Sequence, residues 1–262
     1  MNLKFWKFVK VKSEISWLDK LSLAFAEYCG TVIFVSIGCM GSTFERSHEL
    51  EMESPFALGM GVMIAMQIFG RISGGHVNPM ISITSVLIGQ LSVIDALCYI
   101  VAQFTGAFAA QIMLLLLLPN LYVYGTPNPR DGDYKFCSPR ISAEMSGGKA
   151  LGLEGVITFL LTMSFCGMWD LRNEKWIDSR PLRLGVIISG LTIAAWPFTG
   201  GFLNPARTLA AAAVNNFWEY CHMYLIGQLL GGVLGALTYI IFFIQLEPSQ
   251  DVTAPPAEEE KA

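Results

Sequence analysis

Ile72-Ser73-Gly74-Gly75-His76-Val77-Asn78-Pro79-Met80 and Thr199-Gly200-Gly201-Phe202-Leu203-Asn204-Pro205-Ala206-Arg207 are two forms of one element: Asn-Pro set after Gly residues and before an apolar run. The step is polar, and its proline cannot continue a helix from upstream but is well suited to opening a new one. A single Asn-Pro pair is most often a loop turn. Two of them among long hydrophobic stretches mark a matched pair of polar breaks at membrane depth.

Composition points to the membrane independently. Of the 262 residues 53% are hydrophobic and 15% charged, where a soluble domain carries about a quarter charged residues; mean hydropathy is +0.50. Much of the net charge of -4 belongs to the tail after Gln245 and to the segment Glu45 to Glu53, so it says little for a nucleic-acid partner, and none is expected. Cys29, Cys39, Cys98, Cys137, Cys166 and Cys221 have no metal-ligand spacing, and all but Cys137 lie in or beside apolar runs. They read as small buried hydrophobes and not as a disulfide framework. His48, His76 and His222 stand in separate regions with no nucleophile-base pattern, so no enzyme, metal or cofactor is expected.

Apolar runs occupy 21–40, 56–69, 96–119, 151–168, 184–197 and 223–245. A spanning helix needs about 20 apolar residues, so the second and fifth runs require their flanks, and six spans is the natural number. The segments 80–91 and 206–214, just after the Asn-Pro steps, are apolar but too short to cross. Such segments persist in a bilayer only when buried in protein or lining a wet cavity. The reading is an all-α membrane fold of six transmembrane helices plus two re-entrant half-helices. Residues 1–20 form a basic, aromatic cytoplasmic collar and 21–246 the channel domain, with halves 21–119 and 151–246 joined by 120–150; 247–262 form an acidic cytoplasmic tail, expected to be disordered. With the N-terminus inside, eleven Lys and Arg fall on the cytoplasmic side and six on the other, which turns both termini to the cytoplasm.

The halves repeat each other. Glu27 precedes Asn78 by 51 residues and Glu154 precedes Asn204 by 50, while Gln103 follows Asn78 by 25 and Gln228 follows Asn204 by 24. Four polar landmarks in matching order and spacing exceed what chance gives between greasy segments. Three spans per half invert the second copy, an arrangement that builds a midplane site from two broken elements.

On these residues the chain resembles the aquaporin (major intrinsic protein) family from Ala26 to about Ile244. Ala26-Glu27-Tyr28-Cys29-Gly30-Thr31, the two Asn-Pro boxes and the Glu154 segment carry the likeness. It implies six tilted helices and two half-helices meeting at the centre, with a pore in each subunit of a homotetramer; the plasma membrane is the expected location.

The residues fit that expectation. Half-helices opening at Pro79 and Pro205 would aim two positive dipole ends, each about half an elementary charge, at a pore centre. There Asn78 and Asn204 would cap them and donate N–H to a passing oxygen, with Met80 and Ala206 completing the boxes. Such a centre attracts lone pairs and repels cations, protons included. Arg207 is costly in an apolar segment unless it lines water, pairs with carbonyls or snorkels to the headgroups; the resemblance assigns its position to the extracellular constriction, and that of His76 to the cytoplasmic vestibule. Glu27 and Glu154 would be buried carboxylates bonded to the re-entrant loops, with Gln103 and Gln228 as buried structural partners. Gly227, Gly231 and Gly235, and likewise Gly106 with Ala110, have the spacing of close helix packing, and Leu114 to Leu118 should face lipid or a neighbouring subunit.

The chain also departs from the family. Met80 stands where the first box usually has alanine. Counting without gaps puts the constriction at Leu58, Thr192, Gly201 and Arg207. Water-selective members carry an aromatic residue and a histidine at the first two positions, so a wider, less polar opening is expected, which Phe56 or Phe202 would refill if the alignment slips. Thr208 replaces the aspartate that follows the arginine in the glycerol-facilitator branch. The pattern is similar to insect relatives of water channels in which the fifth-span histidine became small and glycerol or urea conduction was gained. The expected function is a passive channel for water and small uncharged solutes such as glycerol and urea, excluding ions and protons. A coupled secondary transporter and a closed-pore junctional membrane protein are the alternatives.

Overall fold

The structure, a computed structural model, describes residues 16–43, 52–124 and 136–243. Most of the expected collar, the segment from 44 to 51 with Arg46, the loop cations Arg130 and Lys135, and the acidic tail with Lys261 lie outside the described residues.

Helices begin where the sequence supplies caps. Ser16, Ser92 and Ser146 accept from the backbone N–H of Asp19, Asp95 and Lys149 at 3.2, 3.1 and 3.4 Å. They open α1 (Trp17–Met40), α4 (Val93–Leu117) and α6 (Gly147–Trp169); α2 (Glu53–Phe69), the short α5 (Asn120–Tyr124), α7 (Arg180–Thr199) and α9 (Cys221–Phe242) complete the set of non-re-entrant helices. A 3-10 segment, Leu171–Ser179, leads into α7. The half-helices are α3 (Pro79–Leu87) and α8 (Pro205–Val214), each with proline in its first turn and asparagine as cap. Five of the six long helices have the length and apolarity to cross a membrane, and α2, at 17 residues, is the shorter sixth.

Both halves pack in one pattern: α1 lies on α2 and α4, α6 on α7 and α9, and α2 against α7 joins them. The half-helices cross over, α3 packing on α9 as well as α4, and α8 on α4 as well as α9. Each short helix is thus clamped by both halves, which is how it avoids lipid. The closest approach is between α6 and α9, where a Cβ on Gly231 would lie 1.9 Å from the carbonyl oxygen of Gly155; the glycine stripe of α9 is a contact surface. Large apolar side chains such as Leu116 and Phe242 face outward, while Glu27, Gln103, Glu154 and Gln228 are each fully buried. Of the run from Leu114 to Leu118, Leu116 and Leu117 face outward, whereas Leu114 turns into the core and Leu115 and Leu118 are half-buried against it.

One sequence reading is corrected. Cys39 and Cys137 are disulfide-bonded, with Cα atoms 5.4 Å apart. Cys39 closes an apolar run and its partner is 98 residues away in the connection between halves. Neither flank nor spacing links them; only the fold brings that connection over the end of α1. Cys29, Cys98, Cys166 and Cys221 are free thiols.

Candidate functional site

Ahead of each Asn-Pro the backbone turns through a left-handed residue, Val77 at φ 46° and Leu203 at φ 57°. That conformation is unfavourable for such side chains, above all for β-branched valine, and buried carboxylates hold it. Glu27 Oε2 accepts from the N–H of Val77 at 2.7 Å, and Glu154 Oε2 from that of Leu203 at 3.0 Å. The turned carbonyls are then met from the opposite half. Asn78 Nδ2 donates to the Leu203 oxygen at 3.0 Å, and Asn204 Nδ2 to the Val77 oxygen at 2.8 Å. Each asparagine Oδ1 caps its own half-helix, at Met80 N (2.9 Å) and at Ala206 N (2.9 Å) and Arg207 N (3.3 Å). A carboxamide nitrogen has two hydrogens, so each asparagine keeps a second N–H beside the cavity that both line. The two dipole ends converge there as well.

The carboxylates are fully partnered. Glu27 also accepts from Ser73 Oγ at 2.6 Å, His76 N at 2.9 Å and Gln103 Nε2 at 2.9 Å. Glu154 also accepts from Thr199 Oγ1 at 2.7 Å, Phe202 N at 3.0 Å and Gln228 Nε2 at 3.0 Å. Four charge-assisted bonds offset the burial of each anion and fix its loop.

The same networks contain residues that sequence reasoning missed. Gln103 Nε2 also donates to Ser82 Oγ at 2.9 Å, and Gln228 Nε2 to Thr208 Oγ1 at 3.0 Å. Tyr99 and Tyr224 donate their hydroxyls to the Ser73 and Thr199 carbonyls, both at 2.8 Å. Their signal was present: Ser82 and Thr208 each follow their asparagine by four, and Tyr99 and Tyr224 each precede their glutamine by four. Thr208 is therefore a member of the repeat network, with Ser82 as its counterpart.

Leu58, Thr192, Gly201 and Arg207 line one cavity together with His76, Asn78 and Asn204. Its volume is about 20 Å³, little more than the roughly 10–15 Å³ that one water needs. Gly201, at φ 54°, lies so near α7 that a Cβ on it would be 2.9 Å from Thr192 Cα. Phe56 takes no part, its side chain being 56% exposed on the outer face.

Arg207 is buried and does not snorkel. Its Nη1 donates to the carbonyls of Gly201 at 3.1 Å and Phe202 at 3.4 Å, and its Cζ lies 3.9 Å from the centroid of the Phe202 ring. Arg207 Nε and Thr192 Oγ1 are buried without a protein hydrogen-bond partner. Beyond the pair Arg207 and Phe202 opens a basin of about 340 Å³, rimmed by Cys137 and Trp196 among others.

His76 approaches Ser82 Oγ at 3.2 Å and Ser85 Oγ at 3.3 Å, with the rings of Tyr99 and Phe165 set edgewise to it. Met80 does not reach the cavity. Its Cε fills the notch at Gly232 of α9, 2.4 Å from where a Cβ would stand, so the larger side chain is absorbed by packing and the Asn78 cap is untouched. Among the described residues no cluster of His, Cys, Asp or Glu is disposed to hold a metal ion.

Comparison with known proteins agrees with this architecture. The family model for major intrinsic proteins matches residues 14–239. Aquaporin-5 of Mus musculus is 30% identical over 242 residues, covering 91% of this chain and 86% of that protein. Aquaporin TIP1-2 of Zea mays is 29% identical over 259 residues, covering 95% and 97%. Among solved structures, the aquaglyceroporin from Plasmodium falciparum superposes with a TM-score of 0.73 at 18% identity, covering 85% of this chain and 96% of that one. The inverted halves, the paired asparagine caps and these likenesses together make the chain a member of the major intrinsic protein (aquaporin) family, whose members are channels and not enzymes: an integral membrane channel for water and/or small solutes.

Proposed function

We propose that the chain is a passive plasma-membrane channel that conducts water in single file, admits small uncharged solutes such as glycerol and urea more slowly, and excludes ions and protons. The observation that carries this reading is the meeting of Asn78 and Asn204, from opposite halves, at one narrow cavity that both line. Two helix N-termini and the buried Arg207 give that lumen a positive potential, and dehydration in so narrow a path is costly for any ion. Its width favours water; the lack of a ring at Leu58 and of an imidazole at Thr192 favours some polyol and urea passage. Both termini are cytoplasmic on this reading. Disulfides belong to oxidising compartments, so the Cys39–Cys137 end of α1 is the outer one and Trp17 the inner. The subunit is taken to act as a homotetramer, each copy with its own pore. A coupled transporter would need ion-binding or titratable groups at the site, and His76 and Arg207 alone among the lumen residues are ionisable.

Water, urea and glycerol permeability measured in one proteoliposome preparation tests the reading. Downhill flux of all three with water fastest is the expected result. Solute accumulation driven by a proton or sodium gradient would replace the channel with the transporter.

A further inference from the structure

Arg207 is a cation inside the protein, and among the described residues no carboxylate lies within ion-pair distance of it. Glu154, whose charge is nearest in chemistry, is committed to four donors of its own loop. What faces the guanidinium instead is the ring of Phe202, 3.9 Å from Cζ to centroid. A desolvated guanidinium over an aromatic face is a favourable pairing, and its geometry is set by the ring.

The ring is itself held. Phe202 is 4% exposed and clusters with Ala211 and Tyr224, with Ile141 and Tyr220 packed against them. Tyr224 stands edge-on to it at 5.4 Å, and the one Tyr224 hydroxyl hydrogen is shared between the carbonyls of Thr199 and Arg140. These neighbours belong to the protein wall, and the ring is in contact with Tyr224 as well as with Arg207. The Phe202 backbone is fixed as well, its N–H given to Glu154 and its carbonyl accepting from Arg207. Together Phe202 and Arg207 line both the narrow cavity and the outer basin, and so form the threshold between them.

We infer that Phe202 is a positioning residue for the constriction: its ring is a backstop that keeps the Arg207 guanidinium forward in the lumen and thereby sets the size of solute admitted. The inference rests on the channel reading above. With the ring removed, the guanidinium has room to retreat toward Tyr224, and the lumen widens. Solutes larger than water gain most.

The test is the ratio of glycerol to water permeability in proteoliposomes, which does not depend on how many channels are folded and inserted. Phe202→Ala should raise that ratio about fivefold, the factor corresponding to a lost contact of cation–π size, while Phe202→Trp, which keeps a ring face, should hold it near wild type. The lipid-facing Phe242→Ala, 72% exposed, serves as the control with an unchanged ratio. An unchanged ratio in Phe202→Ala overturns the inference. Should that variant fail to assemble, Phe202→Leu decides: it fills similar space without a ring face, and a ratio equal to wild type overturns the inference. Failure of the channel reading is distinguishable in the wild type itself, which would then show no protein-dependent permeability to water or glycerol, or would accumulate solute when a proton or sodium gradient is imposed.

Discussion

Replacing Glu154 by Gln keeps the shape of the side chain and removes only an acceptor oxygen and the charge. Glu154 Oε1 serves Thr199 Oγ1 and Phe202 N, and Oε2 serves Leu203 N and Gln228 Nε2, so either orientation of the amide sets an NH2 group against two donors. The better orientation faces Thr199, whose hydroxyl can reverse and accept. The Phe202 N–H is then orphaned in a buried loop, at a cost of about 1 to 3 kcal/mol, and the three surviving bonds each fall from charge-assisted to neutral, at about 1 kcal/mol apiece. The sum, about 4 to 6 kcal/mol, is a large share of a typical stability of about 5 to 15 kcal/mol. At roughly 2 to 4 °C per kcal/mol for a chain of this size, thermal unfolding of the detergent-solubilised protein should fall by about 8 to 24 °C. Glu27→Gln should do the same, since its four partners are equivalent. A midpoint within about 2 °C of wild type in either variant would refute the view that these carboxylates hold the re-entrant loops.

Thr192→His should lower glycerol and urea permeability well below wild type while sparing water; equal loss of all three would mean a folding defect, and no change would remove residue 192 from the narrowest point. Asn204→Asp puts a negative charge at the point where the half-helices meet, and should raise cation conductance in planar bilayers; unchanged conductance and selectivity would count against the central position of Asn204. Gly201→Ala forces a Cβ to 2.9 Å from Thr192 Cα at a left-handed φ of 54°, so yield and melting temperature should both drop, and a variant that folds like wild type would contradict the close loop-to-α7 approach. Between α6 and α7, Arg172 donates to both oxygens of Asp170, whose carboxyl is held down to about 2. A depressed carboxyl stabilises above its ordinary value and loses that contribution only as pH falls toward about 2, so trypsin resistance of the segment Leu171–Ser179 should be flat from neutral pH to about pH 5 and should drop at neutral pH in Asp170→Asn.

What the sequence disclosed about the fold was carried by polar residues in apolar surroundings. Asn78, Asn204, Glu27, Glu154, Gln103 and Gln228 stand out because a bilayer tolerates few such groups, and their offsets define the inverted halves. Ser82, Thr208, Tyr99 and Tyr224 belong to the same networks but are unremarkable in hydrophobic helices, so they emerge only once the offsets of four from the asparagines and glutamines are laid out, and Ser73 and Thr199 once the offset of five before each asparagine is. The Cys39–Cys137 pair was illegible because its proximity depends on how the connection between halves folds back over α1. The approach of the Gly201 backbone to α7 was illegible for a similar reason: side-chain size at positions 58 and 192 is read from sequence, whereas that approach is tertiary. The role inferred for Phe202 depends on a ring-to-guanidinium geometry that no spacing encodes.

The central claim is a lumen that passes water and stops protons, and stopped-flow osmotic shrinkage of proteoliposomes carrying an internal pH dye measures both in one experiment. The account requires shrinkage that accelerates in proportion to the protein reconstituted, while an imposed pH gradient decays no faster than in empty vesicles. Shrinkage at the empty-vesicle rate, or proton influx that rises with the amount of protein, would contradict it.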